Sequence, residues 1–260
     1  MTGIGHKLNG TLTLLLAVVL LLSSLGGLLA NYTPNMRLPD HKSDYISNAA
    51  VIKTQKAADK ILKQGGIRGI DVSKYQGDID WAKVAQSDVN FAFIRASYGT
   101  TKDPYFLTNA RSAHENGIKV GAYHYATFKN ASEMEAEARY FIKRLKKVDI
   151  TYPVVLDLES NIHKQMKKST LTNLAIQFMD LVRAEGYSVM LYSYNNFIKD
   201  HLDLNKLDGY NLWIANYLES PNVATQQIWQ HTSSGSVTGI KGNVDINVAY
   251  QDLSGSSKSS

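Results

Sequence analysis

Pro153-Val154-Val155-Leu156-Asp157-Leu158-Glu159 decides the fold. Four apolar residues lead directly into two carboxylates, a run too short for a helix and aliphatic enough to read as a strand buried on both faces. Strands of that kind belong to parallel sheets, whose helical crossovers cover the two faces. An acid beside such a run is costly to bury unpaired, so its placement calls for a reason.

Outward from this strand the chain alternates. Upstream, Gly69 to Val72 is a short apolar run, Asp80 to Ala85 a short helix and Val89 to Ala96 a strand. Asp103-Pro104 opens a helix that stops at Gly117, with proline at the start and glycine past the end. Ile118 to Ala126 forms a third strand. Ser132 followed by Glu135 is a capping-box pattern, and Met134, Ala138, Phe141 and Leu145 then recur at helical spacing. Downstream, Thr170 to Glu185 is a helix ended by Gly186, and Tyr187 to Tyr192 a fifth strand. The helical pattern then fades, and Leu212 to Asn216, Gln227 to Gln230 and Val244 to Val248 read as strands joined by loops. Eight strands between residues 67 and 253 predict a compact parallel barrel; a flat doubly wound sheet is the alternative.

The 260 residues, 44% hydrophobic with 3 Trp, 15 Tyr and 7 Phe, suffice for a sizeable core and exclude disorder as the main state. The absence of cysteine excludes a disulfide scaffold, a thiolate zinc site and a cysteine nucleophile. Lys7, an excess of three cations over residues 31–66 and Lys258 together account for the net charge of +5. Between residues 67 and 253, 20 basic and 20 acidic residues balance. A neutral body lacks the phosphate-matching field of a nucleic-acid binder, so no nucleic acid is expected as partner.

No charged residue occurs from Leu8 to Met36. Residues 1–30 read as a membrane anchor or signal segment: the uncharged stretch reaches the roughly 20 residues that span a bilayer, and Ser24-Leu25-Gly26 offers a cleavage site. The body is therefore expected to be extracytoplasmic, either membrane-anchored at the cell surface or secreted. Residues 31–66 read as a stem, broken by Pro34 and Pro39 and carrying a weak amphipathic helix from Ala49 to Lys63. Residues 254–260 read as a flexible tail.

In a parallel barrel the side chains that do chemistry sit at the carboxyl ends of the strands. Asp71 ends the first strand, Asp157 and Glu159 end the fourth, and Asp245 lies in the last. A single such acid is most simply a loop cap or the partner of a cation such as Arg95; four converging on one mouth point to chemistry. Residues i and i+2 of a strand share a face about 6 to 7 Å apart. Asp157 and Glu159 thus suit glycoside hydrolysis, in which one acid protonates the leaving oxygen and a second group supports the opposite charge. Tyr123, Tyr125, Trp213 and Tyr217 fall at strand ends, where their rings either stack on sugar faces or fill the core. His124 alternates with the two tyrosines and reads as a satisfied core histidine, and Trp81 as helix packing.

Taken in order, Gly69-Ile70-Asp71-Val72-Ser73 with Gln76, Phe93-Ile94-Arg95-Ala96-Ser97, Gly121-Ala122-Tyr123-His124-Tyr125, Asp157-Leu158-Glu159, Leu212-Trp213-Ile214-Ala215 with Tyr217, Trp229-Gln230 and Val244-Asp245 with Asn247 resemble the successive motifs of the glycoside hydrolase family 25 lysozymes. The resemblance covers residues 67–253, the expected catalytic domain. It implies an α/β fold, an irregular TIM-like barrel of five strand-helix units followed by three strands. It also implies a peptidoglycan hydrolase that cleaves the β-1,4 bond from N-acetylmuramic acid to N-acetylglucosamine. Its partner would be peptidoglycan glycan strands, with no cofactor and no metal. A monomer is expected, touching the bacterial membrane through its N-terminal segment. By matching position, Glu159 is the general acid, Asp157 its partner, and Asp71 and Asp245 the flanking carboxylates. Tyr123, Tyr125, Arg95, Trp213, Tyr217 and Gln230 are the residues expected to meet substrate.

Competing readings fit less well. A chitinase-like barrel needs further acids at the positions of Tyr152 and Val155. A wall-binding module that has lost catalysis has no use for both Asp157 and Glu159. A zinc amidase lacks its ligands, since His124 stands alone in its strand and no His-Glu-x-x-His appears.

Overall fold

The sheet closes on itself. In the computed structural model, which describes residues 47–254, β1 (Ile67–Val72), β2 (Phe91–Tyr98), β4 (Lys119–Tyr125), β5 (Val154–Asp157), β6 (Val189–Tyr194), β7 (Asn211–Ala215) and β8 (Gln226–Gly235) pair in parallel around a barrel. The last strand, β9 (Val244–Ala249), runs antiparallel to both β8 and β1 and completes the ring. A two-residue strand, β3 (Thr101–Lys102), folds back onto the end of β2. The apolar segment over residues 1–30, the stem as far as residue 46 and the tail beyond residue 254 lie outside the described residues. Among the described residues, no helix is long and apolar enough to cross a membrane.

Helices follow the first five barrel strands and then stop. These are α2 (Trp81–Ala85), α3 (Phe106–Glu115), α4 (Ala131–Leu145), α5 (Lys168–Ala184) and α6 (Asn195–His201). The five strand-helix units followed by three strands are thus present, and the flat sheet is excluded by the β1–β2 and β1–β9 pairings. Local signals misplace some boundaries. Asn130, not Ser132, caps α4 by accepting the Glu133 N–H at 3.0 Å, and Glu133 in turn accepts the Lys129 N–H at 2.8 Å. Asp103 accepts from the Tyr105 N–H, so α3 begins at Phe106, beyond Pro104.

The inside of the barrel is aromatic. Phe91 stacks on Tyr152 at 4.7 Å between centroids, and Phe93 stacks on Trp213 at 4.6 Å. Glycines on neighbouring strands make room for these rings: a Cβ on Gly69 would lie 2.3 Å from Phe91, and one on Gly121 2.5 Å from Phe93. The outer layer is the apolar face of the helices, with Phe141 of α4 and Phe178 of α5 packed together against His124 of β4.

One element departs from the reading of residues 31–66 as a stem. The helix α1 (Asn48–Lys63) packs against the barrel through Ala58, which is buried with Trp229 of β8 and Val248 of β9 and flanked by Ala57, Ile61 and Leu62. This is the sector that has no crossover helix of its own, so outward apolar side chains there need a cover. The stem boundary at residue 66 therefore cuts through a packed unit.

Candidate active site

Strand direction brings the acids together. Asp71 lies near the carboxyl end of β1, Asp157 is the last residue of β5, and Glu159 follows two residues later, just past the strand rather than within it. Asp245 sits at the start of β9, and because β9 is reversed it pairs directly with Asp71. All four line one cleft of about 340 Å³ at the mouth of the barrel, together with Arg95, Tyr123, Tyr125, Trp213, Tyr217 and Gln230. Every residue expected from the sequence to act in the site therefore borders the same space.

The floor of the cleft is a hydrogen-bonded network built around Asp71. Its Oδ2 accepts from Asn247 Nδ2 at 2.8 Å and from Gln230 Nε2 at 2.9 Å. Gln230 Oε1 accepts in turn from the phenols of Tyr192 at 3.0 Å and Tyr217 at 2.6 Å. Asn247 Oδ1 accepts from Trp213 Nε1 at 2.8 Å. These bonds assign Trp213 to the floor rather than to sugar stacking. It is 1% exposed, with Phe93 and Tyr192 against its ring. Gln230 and Tyr217 belong to the same network, Gln230 donating to Asp71 and Tyr217 to Gln230.

Burial in this cleft disfavours the ionised form of the acids and raises their pKa values. Desolvation raises Asp71 to about 6, against the opposing hydrogen bonds from Asn247 and Gln230. Asp157 is pushed well above the carboxylate range by burial first, then by the like charges of Glu159 and Asp71, with Arg95 acting the other way. Asp245 is raised by burial and then by the charges of Asp71 and Glu159. Asp157 Oδ1 has no hydrogen-bond partner in the protein, although it is fully enclosed. A buried polar atom without a partner costs about 1 to 3 kcal/mol, so its persistence here points to a role for the bare oxygen.

Arg95 does not pair with the acids of the floor. Its Nε donates to Asp103 Oδ2 at 2.9 Å, and that buried carboxylate also accepts from the backbone N–H of Lys74 and Tyr105. Arg95 lies 5.1 Å from the ring of Tyr75, which borders the cleft while 77% exposed. Tyr75, Tyr98 and Tyr192 were not singled out from the sequence. The signal was present, since Tyr98 ends β2 and Tyr75 lies in the 3-10 turn that follows β1, but exposed tyrosines at such positions resemble any surface.

His124 faces outward, as its alternation with Tyr123 and Tyr125 requires. Its Nε2 lies 2.9 Å from Glu137 Oε2 and its Nδ1 2.8 Å from Ser97 Oγ. Burial depresses the imidazole pKa, and the neutral ring donates from Nε2 to Glu137 and accepts the Ser97 hydroxyl at Nδ1. Among the described residues, no three His, Asp or Glu side chains are grouped as metal ligands.

A closed barrel with paired carboxylates at its strand ends and an aromatic-rimmed cleft has the parts that glycoside hydrolysis requires. Residues 70–240 match the family described as glycosyl hydrolases family 25, and the chain belongs to that family. An uncharacterized protein of Escherichia coli strain K12, YegX, is 32% identical over 216 residues, 79% of this chain and 78% of that protein. The autolytic lysozyme of Clostridium acetobutylicum is 30% identical over 183 residues, 69% of this chain and 55% of that protein. The crystal structure of a bacterial lysozyme from Streptomyces coelicolor superposes with a TM-score of 0.63 at 28% identity, covering 70% of this chain and 91% of that one.

Proposed function

We propose that the protein is an N-acetylmuramidase, hydrolysing the β-1,4 bond from N-acetylmuramic acid to N-acetylglucosamine in peptidoglycan. The observation that carries this reading is the pairing of Asp157, enclosed and with one bare oxygen, with Glu159, partly exposed in the same cleft. Glu159 is the general acid, delivering its proton to the leaving glycosidic oxygen. Asp157, which borders the cleft, meets the acetamido group flanking that bond with its carboxyl group and orients it as positive charge develops at the anomeric carbon. Asp71 and Asp245 form the anionic floor that supports this charge, and Tyr123, Tyr125 and Arg95 border the space the sugars enter. The lysozyme relatives support peptidoglycan as the substrate.

Glu159→Gln keeps the shape and removes the transferable proton. It is expected to fold normally and to lose about two to four orders of magnitude in rate on purified cell walls, with Asp157→Asn also severely impaired. Turbidity loss of a wall suspension reads the rate, and circular dichroism confirms the fold. Near-normal turnover by Glu159→Gln with a native spectrum removes Glu159 as the acid; full wall binding by a wild type that never clears the suspension favours a binding module.

The same reading sets location and assembly. The body works outside the cytoplasm, brought there by the uncharged stretch from Leu8 to Met36 acting as an uncleaved anchor or a signal segment. Amino-terminal sequencing of protein from the culture medium separates the two: chains beginning near Gly27 or Asn31 exclude the anchor. Action as a monomer belongs to the same reading, and sedimentation of the purified protein checks it.

A further inference from the structure

We propose that a second pocket, one tyrosine ring away from the catalytic cleft, receives the lactyl-linked peptide of the substrate; this rests on the muramidase reading. The pocket has a volume of about 400 Å³ and opens between the end of β2, the β4–α4 loop and the first turns of α4. Tyr98 borders both this pocket and the cleft. Its ring stacks on Tyr125 at 4.8 Å and 14°, so these two rings form the ridge between the two spaces. Gly99 holds the turn behind the ridge at φ 51°, with its N–H donating to the Tyr125 carbonyl at 3.0 Å. A Cβ on Gly99 would meet Thr127 Oγ1 at 2.6 Å, so this tight turn is closed to larger residues.

The walls carry the complements of a peptide. Lys129 supplies an exposed ammonium, Glu133 an exposed carboxylate that accepts the Lys129 N–H at 2.8 Å, and Thr100 and Thr127 supply hydroxyls. Glu137 forms an anchored acceptor, its carboxylate fixed by His124 Nε2 and by the Thr127 N–H and hydroxyl. A peptide brings carboxylates for the ammonium and amide groups for the hydroxyl and carboxylate oxygens. A muramic sugar needs such a place, because it carries its peptide through the lactyl ether on the same ring whose glycosidic bond is cut. A sugar seated in the cleft thus projects a charged branch that only the Tyr98 ridge separates from Lys129.

The test compares initial rates on purified peptidoglycan with its peptides intact and on the same material stripped of peptides by an amidase. Wild type, Lys129→Glu and Ala136→Phe are measured, the first variant reversing the cation and the second filling the pocket from an exposed position of α4. The ratio of kcat/KM for intact over stripped material is expected to exceed one in the wild type. It should fall about two- to fivefold in each variant, the size of one exposed charge pair. A wild-type ratio of one, or variants that leave the ratio unchanged, overturns the pocket while muramic reducing ends from stripped material uphold the muramidase. A wild type that releases such ends from neither material overturns both.

Discussion

Asp157 shows most clearly how this site sets function against stability. Its folded-state pKa is raised, so the protonated form is favoured by folding and the ionised form is penalised. For a raised acid, the stabilising contribution is complete below the ordinary carboxylate value near 3.8 and is lost as pH rises through the folded value. Asp71, raised to about 6, has the same sign, so the protein's stability is expected to decline from pH 4 toward pH 7 as the floor is forced to ionise. Asp157→Asn removes one of these anions. It should melt higher than wild type at pH 7 and lose that advantage as the pH falls to 4, while its activity collapses. Thermal melts at both pH values check this; an Asp157→Asn protein less stable than wild type at pH 7 would show that its carboxylate is held by compensating contacts.

At the scale of elements, the barrel depends on close approaches between strands that only glycine permits. A methyl on Gly121 would sit 2.5 Å from Phe93 and 2.6 Å from the Pro153 carbonyl oxygen. Neither the ring, wedged against Trp213, nor the backbone can yield freely, so Gly121→Ala is expected to cost roughly 1 to 3 kcal/mol. Urea unfolding measures it; an unchanged midpoint would mean that the ring moves without penalty. The strands and helices themselves were legible in the sequence because apolar runs, periodicity and glycine stops are local signals. Pro153 to Leu158 reads as a strand from its own residues. What joins the elements was less legible. The Asp71–Asp245 pairing depends on β9 reversing, and the assignment of Trp213 to the floor depends on Asn247, a partner from a different strand. The docking of α1 was hidden because its buried residues are the small Thr54 and Ala58, which give a weak apolar stripe.

For the whole molecule, α1 is part of the folded body, packed on the barrel at Trp229 and Val248. A fragment beginning at Ile67 would uncover Trp229 and Val248. It is expected to melt roughly 5 to 10 °C below one beginning at Ser47, since each kcal/mol shifts Tm by about 2 to 4 °C at this size. Equal melting temperatures would return the helix to the stem. The central claim concerns the bond that the assembled cleft cuts, and it is read most directly from the new ends in digested peptidoglycan. Purified wall is treated with the enzyme, reduced with borohydride and analysed by mass spectrometry. The muramidase account predicts that the new reducing ends are muramic residues, converted to their alditols. Reduced glucosamine ends would place the cut at the other glycosidic bond, and fragments released by peptide cleavage with no new reducing end would contradict the account altogether.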